Sequence, residues 1–194
     1  MSIWTLGLLV VGYFGLHSLL AANKTKALLQ PIVTPSYYRL FYNIVSLSLL
    51  IVLIRLFLQM PTHFMFDAIP TLGIFFMLAG GILLIMAVSQ YNMGEFSGTY
   101  QVQHGGKSPN STLNRKGLNK YIRHPLYIAN YVFFLGLLLY FPAYKTLMVV
   151  GVASIYLILG TRLEENKLVE EFGDAYRQYQ KEVGMFLPKL RSKR

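Results

Sequence analysis

Five apolar runs, each closed by a short polar break, organise this chain. Residues 3–22, 40–58 and 69–88 reach or approach the roughly 20 residues needed to cross about 30 Å of hydrocarbon. Residues 126–141 and 144–163 form a tight hairpin about Phe141, Pro142 and Ala143. The first arm of that hairpin is long enough to span when its helix begins at Pro125, since proline is favoured at the first helical position. The pattern predicts an all-α, polytopic integral membrane protein with about five transmembrane helices and a cytoplasmic C-terminal helical cap. No internal repeat, heptad seam or low-complexity tract is visible, which argues against a repeat-built transporter.

Two regions depart from this pattern. Residues 89–124 are mostly polar, and within 98–117 the stretch HGGKSPNS reads as a mobile loop, either a lid over a site or a solvated linker. From Arg162 onward, Glu165, Leu168, Val169, Phe172, Tyr176, Tyr179, Val183 and Phe186 recur at intervals of mainly three and four, giving an amphipathic helical face. Gly173 suits the end of one helix and Asp174 the cap of the next. The fifth span is therefore expected to run out of the membrane, break, and fold back over the third loop. The chain divides on this reading into three N-terminal spans, residues 1–88, and a second half, residues 89–194, holding loop, hairpin and amphipathic tail.

Composition agrees with the class. At 54% hydrophobic and 13% charged residues over 194 positions, with a positive mean hydropathy, there is too little polar surface to enclose a water-soluble globule. Several apolar runs follow the first, so it does not read as a cleaved signal peptide. The absence of cysteine excludes disulfides, thiolate metal ligands and a cysteine nucleophile, and four scattered histidines lack the spacing of a metal site.

Charge placement sets an orientation. The loop after the first span carries Lys24, Lys26 and Arg39; the loop after the third carries Lys107, Arg115, Lys116, Lys120 and Arg123; the tail from Arg162 holds eight more basic residues. With five spans all three lie on one side, and the other keeps Lys145 in a loop plus Arg55 near a span end. The positive-inside rule then puts the N-terminus outside and the tail in the cytoplasm. The net charge of +10 is absorbed by topology and anionic lipid, leaving a nucleic-acid partner nothing to explain.

The candidate chemistry lies in two constellations. In YIRHPLY, residues 121–127, the proline pushes His124 out of helical geometry and into the cap position of the fourth span. Free backbone N–H groups and the positive helix end face the interface there, and Arg123 and His124 add donors suited to a carboxylate or phosphate. The structural alternative makes Arg123 a topological anchor and Tyr121 and Tyr127 interfacial belt residues. The second constellation is Glu164-Glu165, at the end of the fifth span. Adjacent acids there are costly unless they project into a polar cavity, where they would accept from an ammonium or ribose hydroxyls. Their alternative is a solvated helix face paired with Lys167 or Arg162. A ligand carrying a carboxylate, an ammonium, a ribose and an aromatic base would use both sites.

With these residues in view, GLNKYIRHPLYIANYVFFLGLLLYFP followed by EENKLVEEFGDAYRQYQKEVGMFLPKL resembles the isoprenylcysteine carboxyl methyltransferase family of integral membrane enzymes and its phospholipid-methylating relatives. The likeness covers about residues 94–190. It implies a multi-span helical fold, dependence on S-adenosylmethionine, and a cytoplasmic cofactor pocket built from the two motifs. Arg123, His124, Pro125 and Tyr127 match the family's RHPxY element, Glu164 and Glu165 its EE element, and Arg162 a basic position before those acids. GEFSGTYQV, from Gly94, matches a further family segment, except that Gly98 stands where the eukaryotic prenylcysteine enzymes tend to carry histidine, so their substrate preference does not transfer.

Methyl transfer from a sulfonium needs alignment and exclusion of water rather than a triad or a metal. Tyr121, Tyr127 or Phe96 would lie against a sulfonium or adenine. A carboxylate or thiol acceptor would need a nearby cation and an amine a base, for which Arg162 and Glu165 are the nearest candidates. The expectation is a membrane methyltransferase acting on a lipophilic or small acceptor that enters from the bilayer, its acceptor atom left open. The alternatives are a small transporter or anion-binding membrane protein using the same helix mouth, and an assembly subunit that binds no nucleotide-like ligand.

Overall fold

The computed structural model describes residues 1–107 and 112–189. The end of the HGGKSPNS loop, residues 108–111, and the last residues, 190–194, lie outside the described residues. The elements are α-helical: α1 (Ile3–Ala21), α2 (Asn23–Leu29), α3 (Pro35–Gln59), α4 (Pro70–Val88), α5 (Met93–Ser97), α6 (Thr99–Gln103), α7 (Pro125–Tyr140), α8 (Tyr144–Phe172) and α9 (Asp174–Glu182), with a 3-10 turn at Gly117–Lys120. Of these, α1, α3, α4 and α8 are long and apolar enough to cross a membrane, and α7 is a shorter apolar helix. Large apolar side chains such as Leu8, Ile85 and Leu163 are exposed along them, as lipid-facing surfaces require. The chain is an all-α integral membrane protein.

Proline starts three of the apolar helices, at Pro35, Pro70 and Pro125. Each fixes φ where an N–H would have no partner anyway. In α1 the Ser2 hydroxyl does the corresponding work, accepting from the Thr5 N–H at 3.1 Å.

Two compact units divide the chain, one formed by Met1–Met65, Tyr91–Asn110 and Ala143–Val152, the other by Phe66–Gln90, Ser111–Pro142 and Ala153–Arg194. In the first, Leu6, Val10 and Met60 are the buried centre against Phe14, Leu53, Phe57 and Val149. His17 links α1 to α3 through the Tyr42 hydroxyl, 2.6 Å from Nε2, and Ser46, 3.1 Å from Nδ1. Lys145 is not a loop residue: it is 5% exposed at the start of α8, and its Nζ donates to the Phe57 and Met60 carbonyls at 3.1 and 2.9 Å. The cation thus satisfies the carbonyl end of α3.

The polar segment after α4 is more ordered than its composition suggested. The Asn92 side chain accepts from the Gly94 and Glu95 N–H groups and starts α5. Gly98 then turns the chain into α6 with φ +96° and ψ −3°, a left-handed conformation that favours glycine. A Cβ there would sit 2.8 Å from the Leu40 backbone nitrogen. Arg39 and Asn43 of α3 donate to the carbonyls of Phe96 and Ser97, which fixes this turn against α3.

In the second unit α4 packs on α7 through small residues. Gly73 and Gly80 on α4 face Ala129 and Gly136 on α7, each pair seven residues apart and so on one helix face. A Cβ on Gly73 would lie 2.6 Å from the Tyr140 nitrogen, and one on Gly80 2.6 Å from the Phe133 nitrogen. Close backbone approach of this kind replaces the hydrophobic drive that lipid does not supply. At 29 residues, about 43 Å by helical rise, α8 outruns the hydrocarbon. Gly173 ends it and Asp174 opens α9, as expected from the residue types. The Tyr179 hydroxyl donates to the Asn119 carbonyl and Arg115 pairs with Glu182. Leu113 packs on Tyr176, Tyr179 and Val183, so the tail folds back over the third loop.

Candidate active site

The two motifs meet. His124 is the N-cap residue of α7 and Pro125 its first turn, so the preceding backbone is extended and free to pair. It pairs with the segment leaving α9: the Arg123 N–H donates to Gly184 O at 2.9 Å and the His124 N–H to Met185 O at 3.2 Å. Beside this pairing the Arg123 guanidinium makes two parallel bonds to Glu165, Nε to Oε1 and Nη2 to Oε2, both 2.9 Å. Its Nη1 donates to the carbonyls of Val183 and Gln180, at 2.6 and 3.3 Å.

Glu165 is the centre of the cluster. Besides Arg123 it accepts from His124 Nε2 at 2.6 Å, the Tyr176 hydroxyl at 2.8 Å and Gln180 Nε2 at 2.6 Å. The side chains of Arg123 and Glu165 are 7% and 8% exposed. A buried ion pair holds only when the remaining lone pairs and N–H groups find partners, and here they do. Burial, and then the neighbouring Glu165 carboxylate, push the Tyr176 hydroxyl's pKa well above its ordinary value, so it remains a donor through the neutral range.

Glu164 faces the open edge. Its side chain is 41% exposed, its Oε2 accepts from the Tyr127 hydroxyl at 2.7 Å, and His124 Nδ1 lies 3.7 Å away. The His124 ring stands edge-on to Tyr127 at 5.4 Å between centroids, and so lies between the two acids.

The structure therefore brings together Arg123, His124, Pro125, Tyr127, Glu164 and Glu165. The anion that Arg123 and His124 hold is the chain's own Glu165 carboxylate. Tyr121 and Arg162 are not part of the cluster: Tyr121 is 59% exposed, and Arg162 is exposed on α8. Tyr176 was visible in the sequence only as one position of an amphipathic stripe, and Gln180 and the carbonyls after α9 were not visible at all. Gln180 lies one turn after Tyr176 and so on the same helix face, and a polar amide in that register was the available hint.

Comparison with known proteins decides the lineage. The NnrU protein family matches residues 5–189. The chain belongs to this family. It is 31% identical to the methanethiol S-methyltransferase of Pseudomonas deceptionensis, over 97% of this chain and 75% of that enzyme. With methanethiol S-methyltransferase 1 of Bradyrhizobium diazoefficiens it shares 28% identity, over 96% of this chain and 67% of the relative. The corresponding enzyme of Crocosphaera subtropica is 26% identical, over 92% and 72%. No solved structure matches the chain. These matches bear out the membrane methyltransferase class expected from the motifs, and the NnrU-family chain is a methyltransferase. The carboxylate left at the exposed edge of its site, Glu164, suits a ligand that donates from an ammonium or hydroxyls; the Arg123 guanidinium and His124 Nε2 are already engaged with Glu165.

Proposed function

We propose that this NnrU-family protein transfers the methyl group of S-adenosylmethionine to a small thiol at a cytoplasmic site. What carries the reading is the closure of YIRHPLY on Glu164-Glu165, with the Glu164–Tyr127 pair left at the exposed edge. The thiol acceptor is suggested by the relatives, which carry methanethiol in their names. When bound, S-adenosylmethionine supplies a methyl group on a sulfonium, which a thiolate takes in line.

The chain's own residues then have distinct roles. Glu164, held by the Tyr127 hydroxyl, accepts from the ligand's ammonium or ribose hydroxyls. Arg123, His124 and Glu165 position that edge; Glu165, with five donors on two oxygens, acts through His124 rather than as a base. Arg162, exposed on α8 three residues before Glu165 and outside the cluster, is the cation we assign to attracting a thiolate, the reactive form of a thiol. All of these residues come from residues 89–194, which we assign as the cofactor-binding half.

The cytoplasmic assignment rests on charge. The basic residues of the two loops and the tail fall on one side of five spans, and Lys145, the one basic loop residue counted on the other side, serves instead as the cap of α3.

The test is a labelled-methyl assay on purified protein with S-adenosylmethionine and methanethiol. Labelled volatile thioether, together with saturable S-adenosylmethionine binding by calorimetry, is the expected result. Label recovered in esters or amines from a lipid extract, with none in the thioether, would overturn the thiol assignment. Absence of S-adenosylmethionine binding would overturn the donor.

A further inference from the structure

A polar cavity lies on the unit that carries the candidate site, and Arg123, His124, Tyr127, Glu164 and Glu165 do not line it. It measures about 350 Å³ and is bounded by Arg115, Lys120, Tyr121, Tyr179, Glu182 and Lys189 among others. Three cations thus face one carboxylate. Arg115 is engaged with Glu182 and lies 5.2 Å over the Tyr179 ring. Lys189 donates to the Gln180 and Lys181 carbonyls at 2.9 and 2.8 Å, which fixes its ammonium at the carbonyl end of α9. Lys120 is exposed, lies 5.9 Å over the Tyr121 ring, and has no carboxylate partner among the described residues.

We propose that this cavity binds the phosphate of an anionic lipid headgroup. The excess of positive charge calls for an anion, and the volume suits a small ligand rather than a bare ion. Position argues for lipid as the source. Lys120 and Tyr121 precede by only a few residues Pro125, where the apolar α7 begins, so they stand at the depth where tyrosine and lysine meet headgroups. Val183 and Pro188 add an apolar wall that suits glycerol and the first acyl carbons. Tyr121, outside the catalytic cluster, finds its role here: its ring supports the Lys120 ammonium and faces the interface.

The test uses the purified full chain and dihexanoylphosphatidylglycerol as the probe, with binding read by calorimetry. Saturable binding is expected, weakening as salt rises. It should fall roughly fivefold in Lys120→Gln and roughly thirtyfold in the Lys120→Gln/Lys189→Gln pair, at about fivefold per basic residue removed. The Lys120→Arg/Lys189→Arg pair should keep it, which separates lost charge from lost fold. If the double glutamine variant fails to fold, exposed Lys120→Gln alone carries the test. Equal binding by both glutamine variants, or by dihexanoylphosphatidylcholine, overturns the proposal. Displacement by inorganic phosphate at matched concentration makes the ligand a free anion and overturns the lipid assignment. Displacement by S-adenosylhomocysteine assigns the cavity to the methyl donor and overturns it as well.

Discussion

Arg123 meets the carboxylate of Glu165 with two parallel hydrogen bonds of 2.9 Å, across 42 residues of sequence. Both partners are almost wholly buried. Removing one leaves the other charged, desolvated and unpaired, which costs about 3–5 kcal/mol in comparable pairs. Glu165→Ala is expected to lower the unfolding midpoint strongly in detergent. Arg123→Met combined with Glu165→Gln should cost less than the sum of the single changes, by about 0.5–3 kcal/mol. Strict additivity would show that the two side chains do not act as a unit.

Glu164 should behave in the opposite way. Its carboxylate is partly solvated and accepts a hydrogen bond from Tyr127, so Glu164→Gln should leave the unfolding midpoint nearly unchanged. The same substitution removes a charged acceptor from the proposed ligand edge, an interaction worth about 1.5–3 kcal/mol. Calorimetry with S-adenosylmethionine should therefore read roughly tenfold to hundredfold weaker binding. A variant that binds as tightly as the parent would remove Glu164 from the donor site.

Neighbouring glycines on α4 provide a matched pair. A Cβ at Gly80 would press on the Phe133 backbone, whereas one at Gly81 meets nothing within 4 Å. Gly80→Ala should destabilise by about 1–3 kcal/mol, as overpacking does. Gly81→Ala should be neutral or slightly stabilising, since alanine is the better helix former by about 1 kcal/mol. Thermal unfolding of the two variants side by side checks the α4–α7 seam, and equal effects would refute it.

Gly98 carries two constraints together, a left-handed φ and contact with the Leu40 backbone. Gly98→Ala is expected to cost about 1–2 kcal/mol for the backbone conformation alone, with the contact adding to it. Protease should cut the region of α5 and α6 faster in this variant.

The apolar runs were legible because lipid demands length and hydropathy, and both are written locally. The break at Gly173-Asp174 was legible for the same local reason. The start of α3 was not: Pro35, Tyr37, Tyr38 and Arg39 belong to the helix but are too polar or too aromatic to extend an apolar run. Helices α5 and α6 were hidden because Asn92 and Gly98, their cap and turn, also read as loop residues. The seam of Gly73, Gly80, Ala129 and Gly136 escaped a search for heptads of large residues. At the site the acids and bases were identified, yet their mutual neutralisation was not. Opposite charges brought out of water satisfy one another first, and Glu165 consumed the donors that the helix mouth offered to a ligand.

The pairing of Gly184 and Met185 with Arg123 and His124 has a temporal side. A ribosome delivers the arginine and histidine some sixty residues before the segment after α9 that completes their surroundings, and Tyr176 and Gln180 arrive only shortly ahead of it. During that interval the nascent protein holds a guanidinium without its full set of acceptors. A chain ending before residue 176 would keep the Glu165 partner of Arg123 but lack the Tyr176 hydroxyl, the Gln180 amide and the Val183 carbonyl that complete the cluster.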